Sequence, residues 1–233
     1  MTVLTKNYLA DNRNPIYSVV TKEGVEMPKE YRTIKEFNSD EYIVKRSRFI
    51  GYAKPVTTVE EANAFIAEIK SKHWDATHNV YAYILRDGGV KRYSDDGEPQ
   101  GTAGVPVLDV LEKENLVDVC VVVTRYFGGI LLGGGGLVRA YSHSAKIGVD
   151  SAKVITMAHC LDLAVECDYT FYGKLNDFLL REETVILDTE FTDNVKIVFR
   201  IKGENKENID AKITDLSNGR VVLTIISEEF CEF

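Results

Sequence analysis

A cluster of glycines between two arginines is the feature of this sequence best suited to chemistry. Six glycines fall within residues 128–136, and Arg125 and Arg139 flank them. Glycines allow tight turns and the close approach of another group, and backbone N–H groups at the start of a helix can hold an anion. Each arginine offers a planar pair of donors to phosphate or carboxylate. The segment therefore predicts an anion site, although a glycine loop that only closes a tight strand-to-helix connection would give the same pattern.

The glycine loop matches neither of two common nucleotide-binding motifs. The phosphate-binding loop of ATPases requires Lys-Ser or Lys-Thr after its glycines, and neither follows here. The dinucleotide motif G-x-G-x-x-G fails because its third glycine position, counted from Gly133 and Gly135, is Val138. ATP and NAD are therefore disfavoured, and we predict no cofactor.

Aromatic residues alternate with cations around the loop, as stacking on single-stranded nucleic acid requires. We predict that the arginines contact phosphates and that Tyr126 and His78 stack on a base or form a hydrogen bond with it. Burial of most of the aromatic rings in the core is the alternative interpretation. The residues predicted to contact an anion or nucleic acid are Arg92, Arg125, Arg139, Tyr126, His78 and the backbone of Gly128, Gly129, Gly134, Gly135 and Gly136.

Three carboxylates in the preceding turn-rich loop, Asp95, Asp96 and Glu98, could hold a divalent metal or transfer protons. Their spacing does not match a calcium-binding loop. We therefore predict that Asp96 and Glu98 orient the two arginines, with Asp95 and Tyr141 in support. No histidine pair has the spacing of a zinc-binding helix, and no serine or cysteine stands in an activating motif. We predict no metal site and no catalytic residue.

The elements that must position these residues fall into two groups. The first group ends with a strand buried on both faces at 116–123, the glycine loop and a helix at 137–153. The apolar spacing before them predicts strands at 32–37, 41–44 and 48–55, a helix at 59–72, a strand at 79–85 that returns at 90–93, and a helix at 105–113. The second group has the order βαββαβ, at 161–167, 173–181, 184–190, 195–201, 208–216 and 221–226. This order predicts a ferredoxin-like domain.

Composition and charge narrow the classes of function. The chain has 233 residues, of which 45% are hydrophobic and 27% charged, as expected for a globular protein of two domains. The net charge is −8, and residues 159–233 hold 8 basic and 16 acidic side chains. That segment is a poor candidate for binding nucleic acid but could engage a basic protein partner.

The sequence also bears on location and redox state. No apolar stretch is long enough to span a membrane, and the N-terminus lacks the pattern of a secretory signal, which together predict a cytoplasmic protein. The four cysteines form no C-x-x-C pair. We predict that they are reduced, buried thiols.

Five motifs follow one another along the chain: SRFIGYA, HWDATHNVYAYI, YSDDGEPQGTAGVP, VVVTRYFGG and GGLVRAY. Together they resemble the IMPACT family, the YigZ-like proteins of bacteria, over about residues 31–233. The resemblance implies an α+β fold of two domains. The N-terminal domain would be a βαβ sandwich of sheet and helices, as in a small-subunit ribosomal protein and in domain four of elongation factor G. The C-terminal domain would be ferredoxin-like.

The expected organisation is an extension at 1–30, partly disordered or draped on the surface, an IMPACT-like domain with the glycine loop at 31–156, and a ferredoxin-like domain at 157–233. Eukaryotic relatives resemble the chain only in the N-terminal domain and act in translational control. They do so through an additional domain that is absent here, so we do not carry that role over. The arginines of the glycine loop, the aromatic residues beside them and the pairing of the two domains lead us to expect a non-enzymatic protein that binds RNA or the ribosome and influences translation. Two alternatives stay open: an enzyme acting on a small phosphorylated or carboxylated molecule in the same pocket, and a protein-interaction module.

Overall fold

The computed structural model describes residues 29–233, together with the backbone of three short strands that precede them. These strands are β1 (Thr5–Lys6), β2 (Tyr17–Val20) and β3 (Glu26–Pro28), which form an antiparallel sheet in that order. Apart from them, residues 1–28 of the extension predicted at 1–30 lie outside the described residues. The chain divides into two compact units. We call Tyr31–Thr156 the N-terminal domain and the unit that contains Met157–Phe233 the C-terminal domain.

The N-terminal domain is built around one antiparallel sheet. Its elements are β4 (Glu30–Ile34), β5 (Asn38–Val44), β6 (Ser47–Pro55), α1 (Val59–Lys72), β7 (His78–Ile84), β8 (Lys91–Ser94), α2 (Gly104–Lys113), β9 (Val119–Tyr126) and α3 (Gly134–Ser151). Five of these strands form the sheet, in the order β5-β6-β9-β7-β8, so β9 lies at its centre and β4 lies outside it. The predicted strand buried on both faces is confirmed, but it runs further, to Tyr126.

Helices cover both faces of this sheet, because β9 is apolar on both sides. Val121 and Val123 belong to the cluster that includes residues of α2 and α3. Cys120 and Val122 belong to the cluster that includes residues of α1. Successive side chains of β9 therefore alternate between the face covered by α2 and α3 and the face covered by α1.

The ends of the helices follow from local chemistry. Helix α1 has its predicted bounds, and the hydroxyl of Thr58 caps it by accepting the N–H of Glu61 at 3.1 Å. Helix α3 begins three residues earlier than the predicted 137, because Gly134, Gly135 and Gly136 form its first turn. Glycine is a poor helix former, so its presence conceals a helix start in the sequence.

The antiparallel order brings four connections to one end of the sheet. These are the turn 45–46 before β6, the loop 73–77 before β7, the loop 95–103 after β8 and the glycine-rich loop 127–133 after β9. The pairing of Arg48 with Tyr126, and of His78 with Arg125, fixes the first two connections beside the end of β9. We call these four connections the loop end of the sheet.

The C-terminal domain has the predicted βαββαβ order. Its elements are β10 (Val154–Cys167), α4 (Tyr169–Arg181), β11 (Thr184–Phe191), β12 (Val195–Lys202), α5 (Lys206–Ser217) and β13 (Leu223–Glu232). The strand order is β11-β12-β10-β13, as in a ferredoxin-like sheet. Leu175 and Leu179 of α4, and Ile209 and Ile213 of α5, pack with Phe199 in one apolar cluster.

One disulfide corrects the prediction of four reduced thiols. Cys160 and Cys231 are bonded, with their Cα atoms 6.3 Å apart, whereas Cys120 and Cys167 are free and buried. The prediction was wrong because β10 begins before residue 161 and β13 continues beyond residue 226. The antiparallel pairing of these extensions brings the two cysteines together.

Candidate functional site at the loop end of the sheet

Arg125 lies inside the domain, near the end of β9, in an ion pair with Glu98. Its Nη1 lies 2.5 Å from Glu98 Oε1, and the two side chains are only 6% and 3% exposed. The guanidinium also lies over the rings of Phe49 and Phe127, at 5.4 and 5.3 Å from their centroids. Glu98 thus contacts Arg125 as predicted. For Arg125 to contact a phosphate, Glu98 would have to release it.

Tyr141 completes this buried group from helix α3. Its hydroxyl donates to the same Glu98 oxygen at 2.7 Å. Burial, followed by the negative charge of Glu98, raises the pKa of Tyr141, so its hydroxyl stays protonated and keeps donating at neutral pH. The carboxylate therefore joins β9 to α3 through Arg125 and Tyr141.

Asp95 and Asp96 fix the loop 95–103 in place. The Asp95 carboxylate accepts the backbone N–H groups of Gly101, Ala103 and Gly104 at 2.8–3.1 Å. Asp96 accepts from Lys70 Nζ at 2.6 Å and from the N–H of residue 79 at 2.7 Å. The prediction that Asp96 orients an arginine is corrected, because the last turn of α1 brings Lys70 to this carboxylate instead.

His78, the first residue of β7, lies between Asp96 and Glu98. Its Nδ1–H donates to the backbone oxygen of Asp96 at 2.8 Å, and its Nε2 lies 3.8 Å from Glu98 Oε1. The side chain is 19% exposed, which leaves little of the ring open to a ligand. Within the part of the chain that the structure describes, no three His, Cys, Asp or Glu side chains lie close enough to hold a metal ion.

The glycines of the loop serve two different purposes. A Cβ on Gly128 would overlap the backbone carbonyl of Arg46, and the Gly128 N–H donates to Ser47 Oγ at 3.2 Å. Gly129 has φ +81°, a conformation that side chains rarely adopt. Gly134, Gly135 and Gly136 instead form the first turn of α3, whose N-cap has no side-chain hydrogen bond. In this second set the Gly136 N–H donates to the Gly133 oxygen at 3.0 Å, so among the described residues the N–H groups of Gly134 and Gly135 are the ones left without a partner at the helix start.

The structure places the three predicted arginines in different surroundings. Arg139 lines a cavity of about 130 Å³ together with Lys45, Tyr42, Leu132 and Gly136. Arg125 is buried as described. Arg92 lies on the edge strand β8, which β7 separates from β9, and its Nη1 donates to the backbone oxygen of Lys91 at 2.9 Å. Arg139 is thus grouped with Lys45 and the first turn of α3.

Two cations that the sequence did not single out, Lys45 and Arg46, form the turn between β5 and β6. Both have positive φ, 45° and 65°, which makes a two-residue hairpin without the usual Asn-Gly. The signal available in the sequence was a pair of residues between two alternating strands. Among the described residues, neither these two cations nor Arg139 has a carboxylate partner, so the loop end carries unpaired positive charge.

Exposed aromatic rings lie at the same end of the sheet as these cations. Tyr126, the predicted stacking residue, is partly buried, and its hydroxyl donates to Asp75 Oδ1 at 3.2 Å. Phe127 is 44% exposed and Trp74 is 84% exposed. The N–H of Phe127 donates to Thr77 Oγ1 at 3.0 Å, which holds the loops that carry these two rings together. Trp74 is the aromatic residue that the prediction missed, because its exposure cannot be read from a sequence.

Comparison with known proteins gives two domain matches. Residues 45–149 match the Impact N-terminal domain, and residues 165–220 match a domain of unknown function, DUF1949. The first match contains all four connections of the loop end.

Whole-chain relatives agree with these matches. The IMPACT family member YvyE of Bacillus subtilis is 39% identical over 191 residues, which are 82% of this chain and 88% of that protein. The IMPACT family member YigZ of Escherichia coli is 31% identical over 188 residues, covering 79% and 92%. A solved structure, described as the crystal structure of an hypothetical protein, superposes with a TM-score of 0.54 at 29% identity and covers 87% of this chain and 100% of its own. Of the helices that the structure describes here, none has the length and apolar character needed to cross a bilayer.

Proposed function

The chain belongs to the IMPACT family, and from that premise we propose that it is a non-enzymatic cytoplasmic protein that binds RNA, free or on the ribosome, and so influences translation. The binding surface is the loop end of the N-terminal domain. One observation carries the proposal: unpaired cations and exposed aromatic rings occupy the same end of the sheet. That pairing suits single-stranded RNA, whose phosphates need cations and whose bases stack on rings.

The charge at the loop end supports a polyanionic ligand although the chain as a whole is acidic. Asp75, Asp96 and Glu98 each have a hydrogen-bond or ion-pair partner within the domain. Lys45 and Arg139 have no carboxylate partner among the described residues, and they line one cavity. An incoming phosphate therefore meets cations whose charge no neighbouring carboxylate offsets.

The first turn of α3 adds donors to the same place. Gly136 lines the cavity with Arg139, and its own N–H donates to the Gly133 oxygen at 3.0 Å. The N-cap, Gly133, has no side chain to occupy the N–H groups of Gly134 and Gly135, which are left for a ligand. The positive end of the helix dipole points to the N-terminus, where it favours a negative charge. A phosphate would thus contact both backbone and side-chain donors.

The carboxylates give the enzymatic alternative less support. Asp95 and Asp96 are occupied by backbone N–H groups and by Lys70, and Glu98 by Arg125 and Tyr141. A general acid or base needs a pocket in which it can reach the proton of a substrate. These three groups are instead bound within the domain, where they shape the loops.

Fluorescence anisotropy of a labelled single-stranded RNA of 12 nucleotides tests the proposal. If about three phosphates are neutralised, the logarithm of the affinity should fall with the logarithm of salt concentration with a slope of about −2. The variant Lys45→Gln/Arg46→Gln/Arg139→Gln should lose most of the affinity and most of that slope. Its melting temperature should stay close to that of the wild type, because these side chains make no ion pair.

The matched control removes three cations from the C-terminal domain, Lys196→Gln/Lys202→Gln/Lys206→Gln, and should bind as the wild type does. Sedimentation with ribosomes, wild type against the loop-end variant, extends the test to the ribosome. Binding that is equal in the two triple variants would overturn the assignment to the loop end. Wild-type protein that binds no RNA and does not sediment with ribosomes would overturn the function.

A further inference from the structure

Trp74 is the most exposed large apolar side chain among the described residues, at 84%. Single exposed apolar residues are common on protein surfaces and by themselves indicate little. A tryptophan is different when its backbone is fixed, because a large rigid ring then meets a partner at low entropic cost. The surroundings of Trp74 therefore decide what its exposure means.

Every other residue of the loop 73–77 is held by a hydrogen bond. The N–H groups of Ala76 and Thr77 donate to the backbone oxygens of His73 and Arg125, at 3.1 and 2.9 Å. Asp75 accepts from the Tyr126 hydroxyl at 3.2 Å, and both ring nitrogens of His73 are bonded. Trp74 is thus presented to solvent from a loop that is fixed on both sides of it.

The hydrogen bonds of His73 form a directed chain of four side chains. The Tyr126 hydroxyl donates to the Asp75 carboxylate, so it accepts from His73 Nδ1–H at 2.8 Å. His73 Nε2 is then left as the acceptor for the Tyr52 hydroxyl at 2.7 Å. Burial, with a smaller contribution from Lys72 and Arg48, lowers the pKa of His73 and favours this neutral form. The chain Tyr52–His73–Tyr126–Asp75 fixes residues on both sides of Trp74.

The neighbourhood of Trp74 suits a nucleobase better than a protein side chain. Phe127, which is 44% exposed, is joined to the same loop through the hydroxyl of Thr77. Beyond Phe127, Gly128 packs on the turn that carries Arg46. Flat apolar rings followed by unpaired cations match the alternation of bases and phosphates along a single strand.

We propose that Trp74 stacks on a base of bound single-stranded RNA, and that Tyr52, His73, Tyr126 and Asp75 are positioning residues that set the orientation of its ring. The inference rests on the proposed function and adds the residue that contacts the base. Lys45, Arg46 and Arg139 then bind the phosphates, and Trp74 and Phe127 supply the apolar contact.

Trp74 is the one tryptophan of the chain, so emission excited at wavelengths that its 12 tyrosines do not absorb reports on this residue alone. Titration with unlabelled oligouridylate of 12 nucleotides should quench the emission, with the same midpoint that the anisotropy of a labelled oligonucleotide gives. Trp74→Ala should weaken binding about 5- to 150-fold, the range that the loss of one base–aromatic stack produces. Trp74→Phe should retain most of the affinity. The matched control Phe191→Ala removes an exposed ring of the C-terminal domain and should change nothing.

Tyr126→Phe tests the positioning chain, because it removes only the hydroxyl that links His73 to Asp75. The anisotropy decay of Trp74 in the free protein should become faster, and RNA affinity should fall by less than in Trp74→Ala. An unchanged decay together with unchanged affinity would overturn the positioning role.

The failure of this inference is distinguishable from the failure of the proposed function. RNA binding without quenching, and with unchanged affinity in Trp74→Ala, would overturn stacking and leave RNA binding in place. Loss of ribosome sedimentation in Trp74→Ala, with affinity for free RNA unchanged, would assign Trp74 to a protein contact and would also overturn stacking. No binding of RNA in any assay would overturn both.

Discussion

The cores of the two domains are built from different side chains, although both place helices against an antiparallel sheet. Ten polar or charged residues are buried among those that the structure describes, and nine lie in the N-terminal domain. The C-terminal domain has one, Ser217, and its main core cluster consists of aliphatic and aromatic side chains and Cys167. Since a buried polar group is costly unless it is hydrogen-bonded, this concentration calls for a physical reason.

The position of the buried polar residues gives that reason. Glu98, Arg125, His73, Asn79 and Thr124 all lie at or next to the loop end of the sheet. Their hydrogen bonds hold the loops 73–77 and 95–103, in which Ala103 is the one buried apolar residue. The N-terminal domain thus uses polar contacts to fix a surface, whereas the C-terminal domain uses apolar packing to hold a sheet.

Glu98→Ala should have the largest effect on stability among the variants that test this contrast between a polar and an apolar core. Loss of the carboxylate leaves the Arg125 guanidinium buried without a counter-charge, which should lower the free energy of unfolding by about 3–5 kcal/mol. Urea unfolding measures the loss. Hydrogen exchange should show it in β9 and α3 and not in β12.

The double variant Glu98→Leu/Arg125→Met is the control for Glu98→Ala. Replacement of both charges by apolar groups should recover most of the stability, since no unpaired charge remains. If Glu98→Ala cost less than about 1 kcal/mol, the ion pair would not be the element that holds these loops.

Leu175→Ala should have the next largest effect, in the other domain. The side chain is fully buried in the apolar cluster between α4 and the sheet, and its truncation should cost about 2–5 kcal/mol through lost burial and the cavity left behind. Hydrogen exchange should accelerate in β12 while β9 keeps its protection. Equal acceleration in both strands would mean that the two cores do not unfold independently.

Asp162→Asn should have a smaller effect, because this ion pair is more exposed. Asp162 binds Arg200 through two hydrogen bonds, and the side chains are 13% and 21% exposed. The loss of such a pair costs about 1 kcal/mol or less. A cost as large as that of Glu98→Ala would remove the contrast between the domains.

The sign of the pH dependence follows from the direction of the shift. The hydrogen bond from Arg200 lowers the pKa of Asp162 below its ordinary value of 3.8, so the pair stabilises the folded state above that pH. Its contribution is lost as the pH falls through the lower, folded-state pKa. Unfolding curves between pH 5 and pH 2 should therefore converge for wild type and Asp162→Asn.

His73→Gln should have the smallest effect, and it should be seen in the pH dependence. Burial lowers the pKa of His73 below 6.5. As the pH falls below 6.5, His73 therefore becomes protonated in the unfolded chain while it stays neutral in the folded protein. Stability from this group is therefore full above about pH 6.5 and falls as the pH decreases from there to the folded-state pKa. Between pH 7.5 and pH 5.5 the urea midpoint of the variant should fall less than that of the wild type. A parallel fall would show that other groups dominate the response.

Sequence patterns were sufficient to predict the helices and strands. They were not sufficient to predict which side chains contact one another at the candidate site. The β-branched run before the glycine loop predicted the central strand β9, and the order βαββαβ predicted the second sheet. Glu98 was expected beside one of the two arginines, but the burial of its pair with Arg125, 27 positions away, depends on how β9 packs against the loop 95–103. Asp96 was assigned the wrong partner for the same reason, since no local rule brings it to Lys70.

Residues were also missed where the local signal was weak. Lys45 and Arg46 form a turn without glycine or asparagine, the residues that usually mark positive φ. The first turn of α3 consists of three glycines, and because glycine has a low helix propensity the sequence did not indicate a helix there. Both features belong to the proposed RNA surface, as expected where function departs from local preference.

The strand order of the C-terminal domain also has a consequence for its biosynthesis. The first strand, β10, pairs with the last strand, β13, and Cys160 is joined to Cys231, 71 residues later. During synthesis from the N-terminus, the chain completes every strand of the N-terminal sheet before it supplies β13. The N-terminal domain can therefore fold while translation continues, whereas the C-terminal sheet stays open along the β10 edge until its final strand has emerged.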